Sequence, residues 1–365
     1  MAIAVVIVVL VVASLLFHFL NPWHATPIAS NWGLMDDTLS ITFLITGLFF
    51  VAINLFLGWL VWKFRHRPGQ RAGYGPENPK LERWLIIGTS VGVAALLTPG
   101  LFVYAKYVEA PADAMMVEVL AQQWQWRYRF PGEDGRLGGT DARFVKAGDP
   151  YGIDPRDPSA QDDVLVEGIE MHLPLNKPVK VVARSHDVLH DFYAPPFRAR
   201  MNIVPGQVSS FWFTPTKVGR YEALCAQLCG VGHPNMRGVV VVEDESQFKS
   251  WLQKQPTFAA TMAAARSGAD TPLAKGRALA QAKGCVGCHS TDGNASLGPT
   301  WKGLFGKTES LADGSTTKVD DAYLMRSIRE PNAQVVKGYT PIMPKADLTE
   351  DEVSSLVAYI HSLGG

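Results

Sequence analysis

An excess of charge of either sign is the first thing this sequence lacks: 34 basic residues meet 34 acidic ones, for a formal net charge of zero over 365 residues. Nucleic acid is bound through its phosphates by a surplus of Lys and Arg, so no nucleic-acid partner is expected. Cysteine is nearly as sparse. Four are present, none before Cys225, and they fall as two tight pairs, Cys225/Cys229 and Cys285/Cys288. A disulfide framework spreads its cysteines to close long loops. Close pairs, each with a histidine at or soon after its end, suit cofactor binding instead. Charge is also missing from residues 39–62 and 84–104, which hold no Asp, Glu, Lys or Arg.

Those two stretches, and an almost purely aliphatic one at residues 2–20 broken by His18, each approach the ~20 residues a helix needs to cross a bilayer. Between the second and third lie Lys63, Arg65, Arg67, Arg71, Lys80 and Arg83. By the positive-inside rule that loop is cytoplasmic, and everything after Lys106 lies on the outer face. The first stretch has no positive charge at its start, and Pro27-Ile28-Ala29-Ser30 is a weak cleavage site, so a retained helix is expected over a signal peptide. The expected membrane anchor is residues 1–110, with helices at about 2–20, 39–62 and 84–106.

From Met116 the texture changes to short β-rich pieces at 117–130, 178–185, 208–213, 219–224 and 238–242. Turns such as Pro205-Gly206 and Val218-Gly219 separate them, which argues for a β-sandwich or Greek-key barrel over residues 111–255. Residues 131–161 are dense in Gly, Asp and Pro. Their spacing matches no EF-hand, so a solvated surface excursion is expected. A helix-like piece follows, then an Ala/Thr/Ser-rich linker at 256–271 with a domain boundary near Asp270. Residues 272–365 are helical in texture. The last helix starts at Thr349 with Glu352 three residues on, and Val353, Leu356, Val357, Ile360 and Leu363 keep helical spacing.

Cys285-Val286-Gly287-Cys288-His289 is the attachment signal for a c-type haem. Two thiols about one helical turn apart each bond a vinyl group of one porphyrin, and the adjacent histidine reaches the iron. A thioredoxin-type dithiol would not demand the histidine. The sixth ligand is expected from Met343, which Pro341 and Pro344 flank and stiffen. Met325 is the rival, but it sits at helical spacing with Leu324 and Ile328. Methionine–histidine ligation raises the potential and suits electron transfer. With Gly298-Pro299 after the haem site, this region resembles a small class I cytochrome c, which implies an all-α cytochrome c domain over 272–365.

The other pair lies in Cys225-Ala226-Gln227-Leu228-Cys229-Gly230-Val231-Gly232-His233-Pro234-Asn235-Met236. Thiolate, imidazole and thioether on one loop form a soft ligand set that suits copper. Two cysteines four apart can bridge a pair of copper ions, whereas a tight disulfide would leave His233 and Met236 unexplained. A second histidine must come from elsewhere, and His186 and His190 are both available. Residues 116–251 resemble subunit II of the haem–copper oxidases, whose pattern D-V-x-H-x-F, then P-G, then C-x-x-x-C-G-x-x-H-x-x-M is met by Asp187, Val188, His190, Phe192, Pro205-Gly206 and the cysteine loop. The resemblance implies a cupredoxin-like Greek-key barrel. Its dinuclear copper centre would be held by His190, Cys225, the backbone carbonyl of Gln227, Cys229, His233 and Met236, with His186 exposed or beside the ligands.

In that family a tryptophan near the copper receives electrons, and Gln123-Trp124-Gln125-Trp126 places it at Trp124. Ordinary packing of Trp124, Trp126 and Tyr128 on one strand face is the plainer alternative. Two positions depart from the family: Gln227 replaces a glutamate and Asn202 an aspartate, both near a magnesium site at the subunit I boundary. Neutral amides are poor partners for a hard dication, which argues against that metal here.

The membrane stretches hold no paired ionisable groups and no mid-depth histidine, as oxygen reduction and proton pumping would need, so catalysis is expected in a partner. The resemblance thus implies a non-catalytic electron-transfer subunit of a cytochrome c oxidase in a bacterial plasma membrane, with both metal domains on the periplasmic face. Its partners would be subunit I and subunit III. A donor cytochrome c or quinol–cytochrome c reductase would supply electrons to one covalent haem c, then the copper pair, then subunit I. Two alternatives are the same role in a nitric oxide reductase and a stand-alone membrane-tethered redox or copper carrier.

Overall fold

The computed structural model describes residues 2–20, 26–71, 73, 75, 77–146, 149–166, 168–268 and 271–364; the boundary expected at Asp270 lies outside them. The chain forms two units, residues 1–109 and 110–365.

The first unit is three helices, α1 (Ala2–Leu20), α2 (Gly33–Lys63) and α3 (Pro79–Val108), each long and apolar enough to cross a membrane. The second and third run beyond the apolar stretches at both ends. At the start of α3, Pro79 takes a first-turn position and Asn78 accepts the Leu81 N–H at 3.1 Å, so the helix is capped about one turn outside its apolar part. α1 packs on α2 where Gly58 leaves room for Ile7 and Val8.

In the second unit, alternation of buried and half-buried residues builds two facing five-stranded sheets. One holds β1 (Met115–Gln122), β2 (Gln125–Phe130), β3 (Val164–Val166), β5 (Val179–Ser185) and β8 (Ser209–Phe213), in the order β3-β2-β1-β5-β8. The other holds β4 (Glu170–Pro174), β6 (His190–Ala194), β7 (Ala199–Ile203), β9 (Gly219–Cys225) and β10 (Arg237–Glu243), in the order β4-β10-β9-β6-β7. Val117, Val119, Val181, Phe211 and Phe213 face Met171, Phe192, Ala223, Val240 and Val242 across the core, all buried.

The stretch expected as one strand over 117–130 is instead a hairpin. Gln122 pairs with Gln125, and Gln123 and Trp124 form the turn. Trp126 and Tyr128 point into the core while Trp124 does not share their strand, which overturns the plain packing alternative for Trp124. No Gly or Asn marks this turn, so local turn chemistry gave no signal for it.

The Gly/Asp/Pro-rich stretch is only in part the solvated excursion expected of it: residues 133–136, 142–143 and 155–156 are exposed, but the stretch is anchored in the core. Tyr151, Ile153 and Ala160 are buried in one cluster with Leu120 of β1 and Phe258. Asp163, at its end, accepts from Arg129 Nη1 at 2.7 Å and from the Gly138 N–H at 3.0 Å, and Arg129 Nε donates to Glu118 at 2.5 Å. Arg184 donates to the same Glu118. Glu118, Arg129 and Asp163 are buried and pair with one another, as buried charges must.

After α4 (Glu245–Leu252), started by an Asp244/Gln247 capping box, the linker is itself helical as α5 (Phe258–Gly268). Its first residue is pinned by the Phe258 N–H to the Asp163 carbonyl at 2.7 Å. The helical module comprises α6 (Pro272–Ala282), α7 (Asp321–Arg329) and α8 (Glu350–Ser362), with a short hairpin of β11 (Thr308–Ser310) and β12 (Thr316–Lys318). Thr349 and Glu352 cap α8 reciprocally. Val353, Leu356, Val357 and Ile360 of α8 pack on Leu279, Trp301, Leu324 and Ile328.

Candidate functional site

β9 delivers Cys225 to the end of the sandwich, and β10 returns just after Met236. The Cys225 N–H donates to the Met236 carbonyl at 3.1 Å, and the Ala226 N–H donates to the Asp191 carbonyl on β6 at 3.0 Å. Gly230 has φ +119, a conformation that side chains rarely adopt, and lets the loop turn back. A single helical turn over His233–Asn235 then aims His233 and Met236 inward.

The donors converge. Cys225 Sγ lies 3.8 Å from Cys229 Sγ, 3.9 Å from His190 Nδ1 and 3.2 Å from the Gln227 carbonyl oxygen. Cys229 Sγ lies 3.6 Å from His233 Nδ1 and 3.9 Å from Met236 Sδ. Both thiols are free. Two sulfurs, two imidazoles, a thioether and a carbonyl around one small space form a donor set that fits copper. His190, Cys225 and Cys229 are the one buried group of metal-ligating His, Cys, Asp or Glu side chains found among the described residues. His186 is exposed and outside it.

Asp187, quoted above only as part of a pattern, organises the site. Its carboxylate accepts from His190 Nε2 at 2.8 Å, from the Val188 N–H at 2.7 Å and from the Gln123 N–H at 2.7 Å. The proton on Nε2 leaves His190 Nδ1 as the free lone pair facing the thiols. Burial opposes the Asp187 charge, yet these donors hold its carboxyl below the usual range. Burial also opposes ionising Cys225, but His190 and the Asp191 and Gln227 backbone outweigh it and pull the thiol down. Burial and the neighbouring Cys225 charge push the Cys229 thiol up.

Trp124 lies flat on this loop. Its Nε1 donates to the Cys229 carbonyl at 3.1 Å, and Gln123 Nε2 donates to the same oxygen at 2.8 Å. A Cβ on Gly232 would sit 2.3 Å from Trp124 Cδ2, so only glycine permits the contact. Trp124 and Val231 also line a largely apolar cavity of the helical module, together with Cys285, Cys288, His289 and Met343.

Within that module, Gly284 (φ +70) ends the approach from α6, and one turn over Cys285–Gly287 leads to His289, whose N–H donates to the Cys285 carbonyl at 3.0 Å. His289 Nδ1 donates to the Pro299 carbonyl at 2.8 Å, leaving Nε2 toward the cavity. The ring stacks on Trp301 at 5.2 Å, and a Cβ on Gly298 would fall 2.6 Å from it. Burial keeps His289 below its usual range, hence a neutral ligand, and pushes the Cys285 thiol up to about 11. Met325 packs on the helical core instead of lining the cavity. Thiols, a correctly oriented imidazole and a thioether around an apolar slot fit a covalently held haem.

A curated relative, "Alternative cytochrome c oxidase subunit 2" of Bradyrhizobium diazoefficiens, is 52% identical over 259 residues, which are 71% of this chain and 94% of the relative. The chain belongs to the cytochrome c oxidase subunit II family. Residues 115–244 match the family model "Cytochrome C oxidase subunit II, periplasmic domain", and residues 273–364 match "Cytochrome c". Subunit 2 of Cereibacter sphaeroides is 25% identical over 244 residues, 63% of this chain and 78% of that one. A solved periplasmic domain of subunit II from Bradyrhizobium japonicum is 26% identical, with TM-score 0.30, and covers 40% of this chain and 95% of that one. This member of the family thus joins an apolar helical anchor, a cupredoxin-like domain and a cytochrome c domain in one chain, and both cofactor classes that its two matched families imply, copper and haem, have matching donor sets.

What sequence reasoning missed are the residues that place the ligands: Asp187, Gln123 and the glycines. Gly230 and Gly232 inside a loop otherwise filled with ligands were the available signal.

Proposed function

We propose that this chain is the non-catalytic electron-input subunit of a terminal respiratory haem–copper oxidase. The observation that carries this reading is Trp124, which touches the Cys229 carbonyl on one side and lines the haem cavity on the other. Electrons from a donor cytochrome c or a quinol–cytochrome c reductase would enter at one haem c, bound through Cys285 and Cys288 and ligated by His289 and Met343. They would leave by way of Trp124 for a dinuclear copper centre on His190, Cys225, the Gln227 carbonyl, Cys229, His233 and Met236, and pass on to subunit I. When bound, the two cofactors supply one-electron redox couples. The chain supplies fixed ligands, a neutral His289, a His190 oriented by Asp187, and exclusion of water.

Beyond the packing of α1 on α2, most apolar side chains of α2 and α3 are exposed, as suits helices in a bacterial plasma membrane against subunit I and, with it, subunit III. The basic loop between them supports a periplasmic side for both metal domains. Gln227 and Asn202, in place of carboxylates, favour one second reading, the same role in a nitric oxide reductase.

Purification of the full chain from its native membrane tests the set. A many-helix partner and oxygen consumption are expected of the complex, and two coppers and one iron of this chain once it is separated from the partner. Nitric oxide consumption in place of oxygen would select the second reading, and a chain that purifies alone would leave a tethered carrier.

A further inference from the structure

α6 ends without a basic residue in its last turn, and the carbonyls there are among those a helix cannot satisfy itself. The copper domain adds side-chain donors to two of them, one of which, the Gln281 carbonyl, also accepts from the Gly284 N–H at 3.2 Å. Gln122 Nε2 donates to the Ala282 carbonyl at 2.6 Å, and Gln125 Nε2 and Arg127 Nη2 donate to the Gln281 carbonyl at 2.9 and 2.8 Å. Arg127 Nε also donates to Gln122 Oε1 at 3.3 Å, which braces the pair. The three side chains come from the paired ends of β1 and β2, on either side of the Gln123-Trp124 turn. Their guanidinium sits at the negative end of the helix dipole, where a cation is favoured.

Two residues past that helix end, the haem-attachment turn meets the same hairpin. A Cβ on Gly284 would lie 2.2 Å from the Gln123 carbonyl oxygen, and one on Gly287 would lie 2.8 Å from that of Trp124. Two glycines let backbone meet backbone there, and the three capping bonds set the angle at which they do so.

Resting on the electron-input reading above, we propose that Gln122, Gln125 and Arg127 are positioning residues. They clamp the haem module by the C-terminal end of α6, hold the Cys285–Cys288 turn against Trp124, and so close the Trp124 face to any second cytochrome. The transfer served is a single electron, lost by the haem iron and gained by the copper pair, with no proton or bond exchanged. In consequence an external donor reduces the copper only through the chain's own haem.

The test uses the full chain in its native complex, with Arg127→Glu as the disrupting variant and Arg127→Lys as the conservative one. Two measurements are made: the rate of copper reduction after flash reduction of the haem, and hydrogen-exchange protection of the turn around Cys285–His289. Arg127→Glu is expected to lower both by about tenfold, the scale of one charge-assisted hydrogen bond, and to let added cytochrome c reduce the copper directly. Arg127→Lys should restore most of both, and haem and copper spectra should stay as in the parent. If Arg127→Glu leaves protection and rate at the parent values, the clamp is refuted while the electron path stands. If protection falls but the parent itself shows no haem-to-copper transfer, the clamp stands and the electron path is refuted. Should Arg127→Glu fail to assemble, Gln125→Ala with the same two measurements decides the matter in the same way.

Discussion

Gly232→Ala isolates the contact between Trp124 and the copper loop. Gly232 has φ −84 and ψ 2, an ordinary conformation for alanine, so the substitution adds no backbone strain. The added methyl would lie 2.3, 2.5 and 2.6 Å from Trp124 Cδ2, Cγ and Cε3, about 1 Å short of ordinary contact with a rigid ring. Either the indole or the loop must move. Overpacking of this kind costs about 1–3 kcal/mol. Losing the Trp124 Nε1 bond to the Cys229 carbonyl adds roughly 1 kcal/mol. A loss of about 2–4 kcal/mol in denaturant unfolding of the copper domain is therefore expected. Copper binding should survive, because no ligand is touched, while electron uptake by the copper slows. The decisive control is a double-mutant cycle with Trp124→Ala. With the ring removed, Gly232→Ala should cost little, for a coupling close to the whole effect. An equal cost in both backgrounds would refute the idea that the glycine exists to seat this indole.

Three other expectations follow from the two ligand sets. Cys229→Ser should abolish the copper absorption and leave the haem attached, as read by a visible spectrum with elemental analysis. Met343→Leu should leave the haem covalently bound but open its sixth position, so that the reduced module binds carbon monoxide and its potential falls. Because the Cys229 thiol is pushed up and stays protonated at neutral pH while Cys225 is pulled down, copper loading of the apo chain should release about one thiol proton near pH 7. Affinity should accordingly weaken as pH falls. Copper affinity unchanged across pH 6 to 8 would contradict that thiol assignment.

The candidate donor sets were legible because the chemistry proposed for them dictates a spacing: Cys285, Cys288 and His289 would have to reach one porphyrin, and Cys225, Cys229, His233 and Met236 share one loop. The membrane stretches were legible because lipid demands a run of apolar side chains. What escaped was long-range. Tyr151 and Ile153 sit in an irregular segment with no period to betray that they are buried. The hairpin at Gln123-Trp124 lacks the residues that usually mark a turn. Asp187 serves three donors from two separate segments, and only the fold brings Gln123 to it. The helicity of α5 was masked by a composition that suits a flexible linker equally well.

The pinning of Phe258 to Asp163 sets how far the haem module can stray. The tether starts at Phe258, inside the sandwich's own cluster, and α5 takes up most of the chain before α6 begins at Pro272. At 1.5 Å per helical residue, a released module remains within roughly 20–30 Å of its seat. A tether this short gives an effective concentration on the order of millimolar. A docking interaction of about 4 kcal/mol then already keeps the module seated half the time, and each further 1.4 kcal/mol improves the odds about tenfold. Three hydrogen bonds and a glycine-lined contact are a sufficient fastening for a partner that is never allowed to leave.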